Sequence, residues 1–486
     1  MNVAVPGQQE APEGKDSREP LGTFRGPAGR LLLTPSHVVR RIHPSLADSA
    51  LAFLASPFRT NLERSGDLIA TEIVPADGNS LGELVLRHPR IDPISYPWEW
   101  TTAQWSAAAD FTLRMAGRAI DAGWNLTDAT PLNVFFQGPR PILVDALSFE
   151  RRDASSSSWQ AYGQFVRTFL LPLVGAKYLH WPLQATMLWR DGYEPATLYR
   201  ALQPWQRLYP DLVDVVTMAT VLEDFGKPVK PQDPPADPDP ELIMRILHRR
   251  LARLGKQIRH AASFDRSAKM SGHPKTATGD KAADTDEKQK FVRAALKRCN
   301  PARVLDIGAN TGTYSLLAAH AGARVAAIDS DAEALGVLWR EADRQKLSVT
   351  TIVANIARPT PAVGWRNQDQ LSLLDRLGEK FEMVLMLSVI HRLMLREQVP
   401  LTGIAELGVA LTRRWLVLEW VPPSDAAYQE GMRDRDPLYG RLSEDDLKGA
   451  FARFFNVVER TLLENQRVLL LFERSEPPAE PGATEP

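Results

Sequence analysis

A short stretch in the second half of the chain constrains its fold more than any other. Residues 304–315 read Val-Leu-Asp-Ile-Gly-Ala-Asn-Thr-Gly-Thr-Tyr-Ser, so an apolar run ends in an acid, a loop of small residues follows, and a helix begins. This order predicts a strand, a tight turn and a helix in an open α/β sheet. Gly308 and Gly312 allow the backbone to turn sharply and a ligand to approach it closely. Asp306 is expected at the carboxyl end of the strand, where such sheets bind ligands.

A second acid falls at the end of the next predicted strand. Residues 325–328 read Val-Ala-Ala-Ile and are followed by Asp329. A carboxylate about twenty residues after the glycine loop is placed to accept hydrogen bonds from both hydroxyls of a ribose. We therefore expect one nucleoside to lie across the two strand ends, with these residues around it: Asp306, Gly308, Asn310, Gly312 and Asp329.

The spacing of the loop distinguishes two classes of nucleoside. The nicotinamide fingerprint is Gly-x-Gly-x-x-Gly, whereas the loop from Gly308 reads Gly-x-Asn-x-Gly. The pattern acid-x-Gly-x-(Gly/Asn)-x-Gly resembles the first motif of class I S-adenosylmethionine (SAM) methyltransferases. This resemblance implies SAM as the cofactor, with Gly308 and Gly312 beneath its methionine part and no phosphate bound. An ordinary strand–helix turn in another α/β protein is the alternative.

The chain from 285 to 474 resembles this methyltransferase family over its whole length. Apolar runs predict a third strand at 349–353, a buried central strand at 381–387, a fifth strand at 415–420, and a terminal hairpin at 461–463 and 468–472. Class I methyltransferases end their sheet with such an antiparallel pair. We therefore expect a C-terminal Rossmann-like α/β sheet that ends in an antiparallel hairpin.

The ends of these strands supply the remaining candidates for the site. The resemblance implies that Asn355 bonds the adenine amine, although an Asx turn that closes the strand is the alternative. Ser388 and His391 follow the central strand and are expected beside the methyl group. His391 is the best candidate for a general base, because imidazole titrates near neutral pH. The alternative for His391 is a helix-start histidine bonded to backbone, and Glu419 is a weaker candidate base. No metal is expected in this site.

The first half of the chain carries a different motif. Asp128 and Asn133 are followed by a predicted strand, a turn, a second strand and Asp145. This spacing resembles the catalytic loop and metal-binding Asp of kinases and small-molecule phosphotransferases, in which the Asn and the last Asp hold magnesium. However, no Gly-rich phosphate loop precedes the motif, and Arg40 and Arg41 are the nearest cations. Three interpretations stay open: a kinase-like fold without catalysis, a β-hairpin braced by Asx turns, and a working phosphotransferase.

Composition divides the chain into five parts. We expect a disordered tail at 1–20, an N-terminal α+β domain at 21–225, a Pro-rich linker with a basic helix and a mobile segment at 226–284, the methyltransferase domain at 285–474, and a disordered tail at 475–486. Residues 265–286 could order over bound SAM.

The full chain resembles a group of large, two-part bacterial SAM-dependent methyltransferases, some described as nodulation-related. The resemblance rests on residues 95–100, 126–129, 145–150 and 306–312. This group usually carries a His pair where the chain has His391-Arg392.

Charge and cysteine content bear on the binding partners and the cellular compartment of the protein. The formal net charge of −1 gives no argument for binding DNA or an anionic membrane. Cys299 is the only cysteine, which favours a reducing cytoplasm, and no apolar run approaches the roughly 20 residues of a membrane helix.

We thus expect a cytoplasmic enzyme that methylates an unidentified acceptor, expected to be a small molecule, with the N-terminal domain recruiting or capping the substrate. The rival hypotheses are a bifunctional kinase–methyltransferase, a non-catalytic SAM-binding interaction protein and a nicotinamide oxidoreductase. The oligomeric state, the acceptor and its reacting atom stay open.

Overall fold

The computed structural model describes residues 29–34, 36–74, 84–224, 239–265, 282–378, 380–432 and 439–475. The two terminal tails expected from composition, most of the Pro-rich linker and most of segment 265–286 lie outside these ranges. We call the described residues up to 265 the front half and those from 282 the rear half.

The front half begins with an antiparallel sheet. Its strands are β1 (Gly29–Leu33), β2 (His37–Ile42), β3 (Glu72–Val74) and β4 (Leu84–Pro89), in the order β1-β2-β4-β3. Two helices, α1 (Pro44–Leu54) and α2 (Pro57–Arg64), connect β2 to β3.

A long helix, α3 (Thr102–Asp121), follows this sheet in the chain. Beyond it, β5 (Trp124–Leu126) pairs with β8 (Phe149–Arg151), and β6 (Val134–Gln137) forms a hairpin with β7 (Arg140–Leu143). The hairpin therefore separates Asn133 from Asp145, as the spacing predicts.

Helices complete the front half. They are α4 (Tyr162–Phe165), α5 (Leu171–Leu179), α6 (Pro195–Ala201), α7 (Ala219–Asp224) and α8 (Pro240–Ala261). The buried residues of α8 include Ile243, Leu247, Leu251, Leu254 and Ile258, which share one face of the helix. That face packs against α3, and two arginines of α8 pair with acids of the front half, Arg259 with Asp110 of α3 and Arg253 with Asp214.

The rear half is built on a large sheet. Its strands are β9 (Arg303–Ile307), β10 (Arg324–Asp329), β11 (Val349–Val353), β12 (Phe381–Met386), β13 (Thr412–Trp420), β14 (Phe455–Leu462) and β15 (Val468–Arg474). Within the described residues they form a seven-stranded sheet in the order β11-β10-β9-β12-β13-β15-β14. Strands β9 to β13 run parallel, and β15 is antiparallel to both β13 and β14. The predicted Rossmann-like sheet with a terminal hairpin is confirmed.

Helices cover both faces of this sheet. They are α9 (Ala282–Cys299), α10 (Thr313–His320), α11 (Ala332–Gln345), α12 (Leu373–Leu377), α13 (Ile390–Leu395), α14 (Leu401–Leu411), α15 (Ala426–Met432) and α16 (Glu444–Phe451). Because β12 is buried from both sides, its sequence Phe-Glu-Met-Val-Leu-Met is nearly continuous in apolar residues. One hydrophobic core lies on each face of the sheet.

The two halves are joined by buried contacts. Glu99 is fully buried and pairs with Arg376 through two hydrogen bonds, one of them 2.9 Å long between Nη1 and Oε2. The Arg376 guanidinium also lies 4.5 Å from the ring centre of Tyr96. Gln104 of α3 donates to the carbonyl of Thr351 in β11 at 3.3 Å, so a front helix meets the edge of the rear sheet. We call the pair Glu99–Arg376 the cross-half ion pair.

None of the helices in the described residues has both the length and the apolar character needed to cross a membrane.

Candidate functional site

The strand order of the rear sheet identifies where a ligand can bind. Chain succession runs outward from β9 through β10 to β11 on one side, and from β12 to β13 on the other. The crevice between β9 and β12 is therefore a topological switch point, and ligands of open α/β sheets bind outside the carboxyl ends of the strands at such a point. The loop from 308 to 312 leaves β9 at this position.

Asp306 holds this loop from inside. Its side chain is 1% exposed, and its Oδ2 accepts a hydrogen bond of 2.6 Å from the hydroxyl of Ser315 in α10. Burial, together with the nearby charge of Asp329, raises the pKa of Asp306 to about 6. Asp306 thus fastens the start of α10 to β9.

The loop itself requires glycine at two positions. Gly308 and Gly312 have φ values of 77° and 86°, in the left-handed region. A Cβ on Gly308 would lie 2.4 Å from Cγ2 of Val389, and one on Gly312 would lie 2.1 Å from Cδ1 of Leu338. The loop is therefore pressed between the segment after β12 and helix α11, with Asn310 at its tip in the same left-handed region, at φ 49°.

Asp329 anchors the tip of the loop. Its Oδ2 accepts from the backbone N–H of Asn310, and its Oδ1 accepts from that of Asp331, each at 2.9 Å. The side chain is half-buried. Since each carboxylate oxygen can accept a second hydrogen bond, Asp329 retains one acceptor position on each oxygen. That arrangement suits the two hydroxyls of a ribose.

Asn355 closes β11 with an Asx turn. Its Oδ1 accepts from the backbone N–H of Ala357 at 2.9 Å, and its Nδ2 donates to Glu397 at 2.8 Å. The hydrogen bonds from Asn355 and Arg358 hold the pKa of Glu397 below its usual range. In the sequence analysis, this turn is the alternative to a contact between Asn355 and adenine.

A buried cluster of charges lies beyond the ends of β12 and β13. Glu419 is fully buried, and its Oε1 lies 2.7 Å from Lys288 Nζ and 3.1 Å from Arg467 Nη1. Arg467 also pairs with Asp425 at 2.8 Å. We call Lys288, Glu419, Asp425 and Arg467 the buried ion cluster. Its two cations and two carboxylates balance, which reduces the cost of placing charges out of water.

Ser388 connects the end of β12 to the buried ion cluster. Its hydroxyl donates to Glu419 Oε2 at 2.9 Å. Ser388 also adopts φ 55°, a left-handed conformation that is uncommon for residues other than glycine and that costs roughly 1 to 2 kcal/mol. Such outliers occur often at ligand sites, so Ser388 marks the boundary between β12 and the candidate ligand site.

His391 is the second residue of α13 and is 6% exposed. Its Nδ1 is buried and has no hydrogen-bond partner among the residues that the structure describes. Burial lowers the pKa of His391 to about 3, the positive charges of Arg392 and Arg467 lower it further, and Asp425 opposes them. His391 is therefore a neutral imidazole at neutral pH.

Sequence reasoning missed three members of the buried ion cluster. Lys288 stands in the run Glu-Lys-Gln-Lys, which is typical of a solvated helix face, and Arg467 stands in the turn of the terminal hairpin. Asp425 follows two prolines in a loop. The one usable signal was Glu419, because an acid inside an apolar strand needs a cationic partner.

In the front half, the side chains of the phosphotransferase-like motif form hydrogen bonds and an ion pair with other residues of the protein. Asp128 accepts from Gln164 at 2.6 Å, and Asn133 donates to the carbonyl of Asp128 at 3.3 Å. Asp145 pairs with Arg40 and accepts from the backbone N–H of Leu147 at 3.0 Å. Although burial alone would raise the pKa of Asp145, Arg40 and these hydrogen bonds hold it below the usual range.

These contacts agree with one interpretation made from the sequence, a β-hairpin whose loop residues bond to each other. In the described part of the chain, no group of three or more His, Cys, Asp or Glu side chains is placed to hold a metal ion.

Residues 278–361 match the family model described as tellurite resistance protein TehB. The nodulation protein NoeA of Rhizobium meliloti (strain 1021) is 26% identical over 472 residues, which make up 94% of this chain and 96% of that protein.

Two solved structures are also similar. One is the N-methyltransferase NodS from Bradyrhizobium japonicum WM9 in complex with S-adenosyl-L-homocysteine, at 15% identity and a TM-score of 0.32, covering 44% of this chain and 99% of NodS. The other is the magnesium protoporphyrin IX methyltransferase ChlM from Synechocystis PCC 6803 with bound SAM, at 19% identity and a TM-score of 0.31, covering 50% of this chain and 100% of ChlM.

Proposed function

We propose that the rear half of the chain is a class I SAM-dependent methyltransferase, which transfers the methyl group of SAM to a small-molecule acceptor held beyond the ends of β12 and β13. The observation that carries this proposal is the position of Asp329. It lies at the carboxyl end of β10, next to the strand β9 that borders the switch point, holds the glycine loop, and keeps one acceptor position on each carboxylate oxygen.

The proposed cofactor contacts follow the edge of the sheet. Asp329 accepts the ribose hydroxyls, and the loop of Gly308, Asn310 and Gly312 passes beneath the methionine part. Asp306 acts indirectly, because its buried carboxyl holds the helix that follows the loop. Asn355 borders the adenine position through its Asx turn, and Ser388 stands at the methyl end.

The sulfonium of bound SAM supplies an electrophilic methyl group and one positive charge, which the site loses on transfer. We assign the role of general base to His391, which accepts the proton of an O–H or N–H acceptor. A proton on His391 restores the positive charge of the site, so its net charge is the same before and after transfer. The buried, unpartnered Nδ1 supports this assignment. The pKa of about 3 opposes it, because a general base is most effective when its pKa lies near the working pH.

Glu419 is better suited to positioning than to proton transfer. Both of its oxygens are engaged, by Lys288 and Arg467 on one side and by Ser388 on the other. We propose that Glu419 fixes Ser388 and Arg467, and through them the wall of the acceptor site.

The front half is proposed to cap the site. Lys177, His180 and Trp181 of the front half share a cavity of about 370 Å³ with Ala332 and Glu333 at the start of α11. These two rear residues directly follow Asp331, whose backbone binds the ribose-holding Asp329. A front wall so close to the cofactor edge supports a role in excluding water or admitting the acceptor.

The test is transfer of a labelled methyl group. Full-length protein and SAM labelled in its methyl group are incubated with a small-molecule fraction of a cell extract, and the products are separated and counted. We expect one product to gain label with the wild type and with the control Asp331→Asn, but far less with Asp329→Asn. Binding of SAM without transfer to any component would overturn the proposal in favour of a non-catalytic SAM-binding protein.

A further inference from the structure

A second cavity lies between the two halves, away from the proposed cofactor site. Its volume is about 250 Å³, close to the lower end of the range for small-molecule sites. Leu33 and Val38 of the front sheet form one part of its wall, and Leu132, Phe135 and Val144 around the β6–β7 hairpin form another. The rear half contributes the segment 369–371 with Arg376 and Lys380. Apolar side chains from separate elements therefore enclose a space that fits a compound of one or two rings.

One buried atom at this cavity lacks a hydrogen-bond donor. His88 is 6% exposed and lines the cavity. The hydroxyl of Thr71 donates to the carbonyl of Ile69 at 3.1 Å, so it accepts from His88 Nδ1, which lies 3.2 Å away. With its hydrogen on Nδ1, the ring leaves Nε2 as a bare acceptor, and no described residue bonds it. Burial, and next the charge of Arg40, lower the pKa of His88 to about 4, so the ring stays neutral at neutral pH.

A second buried acceptor comes from the rear half. The side chain of Asp369 is 6% exposed, and its Oδ2 accepts from Arg190 and from the backbone N–H of Trp365, each at 3.1 Å. Its Oδ1 is buried without a partner in the part of the chain that the structure describes. An unpaired buried acceptor is costly, so two at one cavity indicate a ligand that donates hydrogen bonds.

The cavity also has an excess of positive charge. Its cations are Arg40, Arg90, Arg190, Arg376 and Lys380, and its acids are Asp92, Asp145 and Asp369. Most of these cations face a carboxylate, such as Asp145 for Arg40 and Asp92 for Lys380. Arg90 differs, because it donates to the backbone carbonyl of Thr34 at 3.0 Å and forms no ion pair within the described residues. A half-buried arginine without a carboxylate partner favours an anion.

We propose that this cavity is a second small-molecule site, which takes an aromatic acid: a planar ring system that carries an N–H or O–H donor and one anionic group. The ring lies between the apolar walls, the donor bonds His88 Nε2 or Asp369 Oδ1, and the anionic group faces Arg90. This site is separate from methyl transfer, so its occupancy does not depend on the cofactor.

Three related probes separate the features of such a ligand. Indole-3-acetate has the ring, the N–H and the charge, whereas 1-methylindole-3-acetate lacks the N–H and indole-3-acetamide lacks the charge. Ligand-observed NMR titration of the full chain gives each dissociation constant, with the cofactor site saturated by S-adenosylhomocysteine. For a fragment of this size we expect a Kd of about 0.1–1 mM for indole-3-acetate. Each of the other two probes should bind about tenfold more weakly.

Substitutions test whether the probe contacts the named residues of the cavity. Arg90→Gln should remove the preference for indole-3-acetate over the acetamide, and His88→Phe should remove the preference for the N–H over the N-methyl compound. Arg87→Gln is the matched control, because Arg87 lies in β4, which ends just before Arg90, but it does not line the cavity and it pairs with Glu72. It should leave all three constants unchanged. If His88→Phe does not fold, the result for Arg90→Gln alone decides the test.

Two outcomes would overturn the proposal. One is the absence of binding by indole-3-acetate up to about 5 mM, a concentration above any affinity expected here. The other is binding that responds equally to Arg87→Gln and Arg90→Gln, or that S-adenosylhomocysteine abolishes, because the probe would then lie elsewhere.

Discussion

Replacing Asp329 with asparagine should weaken SAM binding while leaving the fold intact. The carboxylate already accepts from the backbone of Asn310 and Asp331, each at 2.9 Å, and retains one acceptor position on each oxygen for the ribose. The amide of asparagine keeps only one oxygen, so one of two cofactor hydrogen bonds is lost, and one of the two backbone N–H groups loses its acceptor. A hydrogen bond to a charged group contributes about 1.5–3 kcal/mol, which corresponds to a loss of affinity of roughly 10- to 150-fold.

Isothermal titration calorimetry with SAM and with S-adenosylhomocysteine measures this loss directly. The fitted stoichiometry reports the fraction of folded protein, so partial unfolding is separated from weaker binding. Asp331→Asn is the matched control, because it removes the same charge two residues away at an exposed position. Asp331 caps α11 by accepting from Glu333 and Ala334, and asparagine caps a helix about equally well. The control should therefore bind SAM like the wild type.

Two results would refute this reasoning. If Asp329→Asn bound SAM within about twofold of the wild type, the carboxylate would not hold the ribose. If Asp331→Asn lost as much affinity as Asp329→Asn, the effect would reflect the local negative charge and not a specific contact.

Three further predictions concern the buried charges. Glu99→Gln leaves Arg376 without its partner and should lower the free energy of unfolding by about 3–5 kcal/mol in urea denaturation, whereas Glu72→Gln, which breaks the exposed pair with Arg87, should cost less than about 1 kcal/mol. Because the native state keeps the Asp306 proton up to about pH 6 while the unfolded chain releases it near pH 4, the wild type should lose about 2 kcal/mol of stability relative to Asp306→Asn as the pH rises from 4 to 6; parallel stability curves would contradict the raised pKa. His391→Gln should lower the transfer rate about 100-fold or more with an unchanged Kd for SAM, and since the pKa of His391 is about 3, the wild-type rate should show no loss near pH 6.5 that belongs to this residue; an unchanged rate in the variant would remove His391 as the base.

The sequence was most informative where one local pattern decides the structure. The order of strand, small-residue loop and helix at 304–315, with Asp329 after the next strand, predicted the sheet and the strand end at which Asp329 lies. The hydrogen bond from the loop tip to that acid was not predicted. Glycine at 308 and 312 has one local reason, the left-handed backbone, whereas the close approach of Val389 and Leu338 comes from distant parts of the chain. Local patterns of this kind are visible without knowledge of distant residues.

Contacts between distant residues could not be predicted in this way. Lys288 stands in a charged run that is typical of a helix surface, and its burial depends on Glu419, which lies on the fifth strand of the sheet. The second cavity depends on His88 and Arg90 meeting Asp369, far along the chain. For Asn355, the sequence offered a ligand contact and an Asx turn, and only coordinates distinguish the hydrogen bonds of the turn.

The cross-half ion pair has a consequence for how this polypeptide can be divided. A fragment that began at residue 282 would retain the complete parallel sheet, yet the guanidinium of Arg376 would lose its carboxylate, and Trp339 would lose its T-shaped contact with the ring of Phe136. Such a fragment would expose the unpaired charge of Arg376 and the uncovered indole of Trp339 to solvent, and it would be prone to aggregate. Exchange of front halves between homologous proteins should therefore succeed only when the donor brings an acid to the position of Glu99.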